Sequence, residues 1–170
     1  GGGDWQLSRR ECRQRAKDED LVRPTPDLTR GLEQYSSELR KIVDLSTSLG
    51  ASGVVLATQP TLWRKDMPAD ARAILLSGGV APLPDWMNCK EGIRYYAPET
   101  QEAALGSFNQ VMLDVCKSTQ AECVDVARIV PKEAPYFYDD MHFTERGAEA
   151  VATGIAPTVQ KLIARMKKLQ

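Results

Sequence analysis

The chain has 170 residues, 42% of them hydrophobic and 26% charged, a composition that excludes a disordered chain and a membrane bundle and leaves room for one domain. Its 22 Lys and Arg nearly balance 23 Asp and Glu, and a net charge of -1 supplies no overall field to hold nucleic acid or an anionic bilayer. No apolar run approaches the roughly 18 residues of a spanning helix, so neither a nucleic-acid partner nor a membrane span is expected.

Gly1-Gly2-Gly3-Asp4-Trp5 carries no initiator Met and no basic segment followed by an apolar one, so no signal or transit peptide is expected there. Residues 7–30 are polar and charged, and Pro24 and Pro26 end any helix begun around residues 8–20; the stretch reads as a surface excursion outside the core. From Gly31 to Leu49, Leu32, Tyr35, Leu39, Ile42, Val43 and Leu49 recur at helical spacing, with Gly50 as the stop. Residues 52–58 then read as a strand apolar on both faces, as in a helix-covered parallel sheet, ended by Gln59-Pro60.

Residues 61–98 mix turn formers with Trp63, Trp86, Tyr95 and Tyr96 and hold at most a short helix around 69–76, so they read as a long, loop-rich insertion. Its aromatics either wall a pocket or pack beneath the loop. Residues 99–118 place Ala103, Ala104, Phe108, Val111, Met112 and Val115 on one helical face, and 122–126 follow as a short strand. Thr144 is placed to cap a final helix through Val151, Ile155, Val159 and Leu162, with a bend expected at Pro157.

Cys12, Cys89, Cys116 and Cys123 permit three full pairings, and no CxxC pair with a second ligand pair points to zinc. Cys116 and Cys123 bracket a short polar loop and close a small disulfide if the compartment is oxidising, secreted or periplasmic; four buried thiols are the alternative. Cys89 is conceivable as a nucleophile in the aromatic loop, but nothing in the sequence marks its site as electropositive, so it reads as a structural thiol or a disulfide partner.

The alternation of helix and strand specifies an α/β domain with a parallel sheet. Two strands cannot cover three amphipathic helices, and their open edges call for partners. The expectation is therefore a single domain over residues 1–170 that forms the C-terminal part of a larger one, with its first strands preceding Gly1.

One histidine is present, His142, in Phe137-Tyr138-Asp139-Asp140-Met141-His142-Phe143-Thr144, in a strand-to-helix loop of the kind where open α/β sheets place their sites. An Asp three residues before a His in a tight turn is able to accept the Nδ1 hydrogen and leave Nε2 free to take a proton from a nucleophile. Asp139 is the expected orienter, and Asp140 reads as a turn or capping group.

The string Tyr138-Asp139-Asp140-Met141-His142-Phe143-Thr144-Glu145-Arg146-Gly147-Ala148-Glu149-Ala150-Val151-Ala152 resembles the last block of the SGNH (GDSL-like) hydrolases. The resemblance extends over most of residues 32–155, through the strand Val54-Val55-Leu56-Ala57, Thr58-Gln59-Pro60, Phe108-Asn109 and Val124-Asp125-Val126-Ala127, although only the final block has the specificity of a motif. It implies a three-layer flavodoxin-like domain that hydrolyses esters of small molecules or glycans. His142 would be the general base and then acid, Asp139 its orienter, and a serine after the first strand the nucleophile. No metal or organic cofactor is implied.

The chain departs from that pattern twice. Gly1-Gly2-Gly3-Asp4 stands where the family carries a Gly-x-Asn-Asp block, with Gly3 in place of the Asn that would help form the oxyanion hole; either that donor is lost or replaced, or the glycines are a leader that matches by accident. No Gly-Asp-Ser segment occurs, and Leu75 stands where a Gly-x-Ser-x-Gly elbow around Ser77 needs glycine. The resemblance thus leads to a hydrolase segment supplying His and Asp, with its serine upstream of residue 1. A non-catalytic binding module of the same origin and an acyltransferase with the same triad are the alternatives.

Overall fold

The computed structural model describes residues 3–167 and is a mixed α/β structure dominated by helix. In chain order it comprises α1 (Gly3–Arg15), α2 (Thr29–Ser48), β1 (Val55–Ala57), α3 (Ala69–Ala73), β2 (Gly79–Val80), α4 (Leu83–Met87), β3 (Arg94–Tyr95), α5 (Pro98–Lys117), β4 (Glu122–Val124), α6 (Val126–Ile129) and α7 (Glu145–Lys167). Single 3-10 turns occupy Asp18–Asp20 and Ala134–Tyr136. The chain divides into two compact units: Gly1–Pro26, Thr61–Ala104 and Lys132–Thr144 form the first, and Asp27–Pro60, Leu105–Pro131 and Glu145–Gln170 the second. Among the described residues no helix is long and apolar enough to cross a membrane.

The second unit is built around the parallel pair β1–β4, in register Val55 with Glu122, Leu56 with Cys123 and Ala57 with Val124. Helix α2 begins where the Asp27 carboxylate accepts the Thr29 N–H at 2.9 Å, a bond that also holds the Asp27 carboxyl below its ordinary value. It ends in a Schellman motif, in which Ala51 N–H donates to Ser46 and Gly50 N–H to Thr47, with Gly50 at φ +86°. Between these ends the helical period presents Tyr35, Leu39 and Val43 to a core formed with Leu56, Met112, Val115 and Cys116. Full burial of side chains such as Met112 and Val115 contributes about 1.5–3 kcal/mol each.

Side chains fix the carboxyl end of β1. The Thr58 hydroxyl donates to Asp125 and accepts the Ala127 N–H, both at 2.8 Å, while Asn109 accepts from and donates to the backbone of Gln59. A Cys116–Cys123 disulfide ties α5 to β4. Helix α7 contacts β1, β4 and α6, and it continues as one helix through Pro157.

In the first unit the stretch expected to be a loop-rich insertion holds more regular structure than α3 alone. β2 pairs antiparallel with β3, Val22 bridges to Tyr96, and α4 lies between the two short strands. Strands of two residues leave no readable alternation, and their pairing is set by partners remote in sequence. The buried apolar residues here include Leu62, Trp63, Met67, Leu75, Leu76, Tyr95 and Phe137.

The N-terminal stretch corrects the sequence-based expectation of a surface excursion. α1 starts at Gly3 and stops at Arg15, and its Arg9 and Arg13 are each only 6% exposed. Their guanidinium groups lie over the rings of Trp86 and Tyr95, at 3.8 and 4.9 Å, and donate to the carbonyls of Leu76 and Tyr96. A charge-rich sequence concealed this burial because long Arg side chains pack through their stems and planar heads. A second disulfide, Cys12–Cys89, joins α1 to the segment after α4.

Candidate functional site

Residues 137–144 close on themselves. Phe137 and Phe143 form an antiparallel bridge with their rings 5.5 Å apart, Tyr138 N–H donates to the His142 carbonyl at 2.7 Å, and Thr144 N–H donates to Tyr136 at 3.1 Å. The Thr144 hydroxyl, immediately ahead of α7, donates to Pro135 at 2.7 Å. Buried Phe137 anchors the near side of the turn, and Arg10 of α1 donates to the Tyr138 carbonyl.

Inside this turn Asp139 works in two directions. Its Oδ1 accepts the backbone N–H of Met141 at 2.9 Å and of His142 at 3.0 Å, the local geometry that short Asp side chains favour. Its Oδ2 lies 2.7 Å from His142 Nδ1. An ionised carboxylate only accepts, so Nδ1 carries the hydrogen, and in the neutral ring Nε2 is the nitrogen that accepts a proton. Burial by itself pushes the Asp139 carboxyl up, but the Met141 and His142 backbone donors, together with the hydrogen bond and charge of the His142 ring, outweigh it and hold the carboxyl below its ordinary value. The Asp139 side chain is 4% exposed and that of His142 73%, so a rigid acceptor stands behind an accessible base. Such a pair is able to take a proton from a hydroxyl brought to Nε2 and to return it to a leaving group.

Asp140 is not simply a turn or capping residue. It is 1% exposed; its Oδ1 accepts the Trp63 indole N–H at 2.8 Å, and its Oδ2 accepts the N–H groups of Leu76 and Ser77 at 2.9 and 3.0 Å. Leu62 N–H donates to its carbonyl at 2.9 Å. Burial pushes the Arg9 and Arg13 guanidinium groups down, and the Asp140 charge opposes that shift at both. These partners lie more than sixty residues away in sequence, and only the consecutive Asp139-Asp140 pair in a turn hinted at two separate carboxylate roles.

The remaining sequence candidates fall in several places. Gly1 and Gly2 lie outside the described residues, while Gly3 and Asp4 open the first turn of α1. Trp63 is tied to Asp140, Trp86 lies beneath Arg9, and the Tyr96 carbonyl accepts from Arg13. Tyr95 lines a cleft of about 660 Å³ with Arg15, Lys90, Arg94 and the Cys12–Cys89 disulfide. Cys116 and Cys123 are joined in the second unit. Among the described residues no cluster of His, Cys, Asp and Glu is suited to a metal ion. Comparison of the chain with protein-family models, with curated proteins and with solved structures finds no match.

Proposed function

We propose that this chain is the histidine- and aspartate-bearing part of an SGNH-type ester hydrolase, acting on an ester or acylated small molecule or glycan with a serine supplied by polypeptide outside residues 1–170. The observation that carries this reading is the 2.7 Å contact between Asp139 Oδ2 and His142 Nδ1 behind a largely exposed imidazole. The three-layer, flavodoxin-like arrangement belongs to the same proposal. It is supported by the parallel β1–β4 pair, by α2 and α5 packing about Leu56, and by the contacts of α7 with both strands. The two disulfides fit an oxidising compartment.

In the proposed reaction His142 Nε2 takes the serine proton as the hydroxyl oxygen attacks the ester carbonyl, and Asp139 stabilises the imidazolium that forms. The tetrahedral intermediate collapses, the carbon–oxygen bond to the alcohol breaks, and the imidazolium protonates the departing alkoxide. Water then attacks the acyl-serine with His142 again as base, releasing the acid and restoring the serine.

A fluorophosphonate probe tests the assignment. Residues 1–170 alone should remain unlabelled, whereas a longer polypeptide carrying the serine should label and turn over ester, and His142→Ala in that longer form should abolish both. Labelling of residues 1–170 alone would overturn the external nucleophile. Unimpaired turnover of the His142→Ala form would remove His142 from the mechanism.

A further inference from the structure

We propose that Asp140 is a positioning residue for the Asp139–His142 pair, an inference that rests on the hydrolase reading above. Among the described residues the imidazole hydrogen-bonds to Asp139, and its side chain is 73% exposed. Its orientation toward any approaching hydroxyl therefore depends on where the 138–142 turn is held. Among the described residues, Asp140 is the turn residue whose side chain hydrogen-bonds to segments remote in sequence.

Three donors converge on its carboxylate from Trp63, Leu76 and Ser77, and Leu62 donates to its carbonyl. An apolar side chain would fill the same volume without fixing distances. A carboxylate that accepts on both oxygens from two backbone N–H groups and an indole fixes the position of its own Cα, and Asp139 is the next residue. Displacements of about 1 Å in such supports are enough to impair proton transfer at the supported group. The buried guanidinium groups of Arg9 and Arg13 add a favourable electrostatic environment for this carboxylate.

The test uses the 170-residue chain, isotopically labelled, in which the only histidine makes ring signals unambiguous. Asp140→Asn keeps the side-chain size but sets an amide NH2 against at least one of the three donors. With far-ultraviolet helix signal unchanged, the hydrogen-bonded Nδ1–H resonance of His142 should broaden or vanish, and the Met141 and His142 amides should exchange roughly tenfold faster. A purely structural support would lower the melting temperature while leaving that resonance as in the parent. An unaltered resonance, whatever the amide exchange, overturns the proposal. Where Asp140→Asn lacks helix signal, Trp63→Phe decides by the same two readouts, since it deletes one donor and keeps an aromatic ring. If the longer polypeptide fails to label with fluorophosphonate, the hydrolase reading falls while the link from Asp140 to the pair is still decided by the resonance.

Discussion

His142 Nδ1 and Asp139 Oδ2 are 2.7 Å apart, while the other oxygen of the same carboxylate is committed to the backbone N–H groups of Met141 and His142. One side chain thus sets both where residue 142 sits and which tautomer its ring adopts. Asp139→Asn presents an amide that donates toward Nδ1 as readily as it accepts, favouring the wrong tautomer at unchanged size. In the serine-bearing form this substitution should lower kcat by about ten-thousand-fold with little change in KM. Steady-state kinetics on a chromogenic ester checks it, and a loss confined to KM would assign Asp139 to substrate binding instead.

Asp139 also fixes the acid limit of the turn. Its folded-state carboxyl lies below the ordinary value of 3.8, because the Met141 and His142 donors and the His142 ring outweigh burial. A group depressed on folding contributes stability that is complete above its unfolded value and lost as pH falls through its folded value. The amide shifts of Met141 and His142 should therefore hold steady down to the ordinary carboxyl range and titrate together with a midpoint below 3.8. A common midpoint above that value would show that burial dominates.

The legible parts of this molecule are the local ones. Helices α2, α5 and α7 follow from apolar spacing, and the end of α2 follows from Gly50, whose positive φ completes the Schellman motif. The Asp139–His142 contact was legible for the same reason, since three residues and one Asp side chain determine it. Asp140 was not, because its partners Trp63, Leu76 and Ser77 arrive from 63 to 77 residues away. Arg9 and Arg13 misled in the other direction: formal charge suggested solvent, whereas their planar heads stack on Trp86 and Tyr95 and their donors reach backbone carbonyls.

Gly79 and Gly106 should respond oppositely to the same substitution. A Cβ on Gly79 would meet Trp86 Cδ1 at 1.8 Å, and that ring carries Arg9 at 3.8 Å. Gly79→Ala must displace a packed indole and the guanidinium on it, a change that costs about 1–3 kcal/mol. Gly106 lies exposed within α5 with nothing within 4 Å of a new Cβ, so Gly106→Ala should stabilise by about 0.5–1 kcal/mol. Denaturant midpoints of the two variants check both signs.

The two disulfides should separate by both magnitude and probe. Cys12 and Cys89 both belong to the first unit and lie 77 positions apart, with residues 27–60 of the second unit in the intervening chain, whereas Cys116 and Cys123 lie 7 apart within the second. Constraint of the unfolded chain then predicts losses of about 4.5 kcal/mol for Cys12→Ala with Cys89→Ala and about 2.4 kcal/mol for Cys116→Ala with Cys123→Ala. All three tryptophans, Trp5, Trp63 and Trp86, belong to the first unit. Fluorescence should therefore report mainly the loss of Cys12–Cys89, whereas removal of Cys116–Cys123 should move the far-ultraviolet transition of the helix-rich second unit further than the fluorescence transition. Equal displacement of both probes by either pair of substitutions would mean that the two units unfold as one cooperative structure, so that each disulfide stabilises the whole chain.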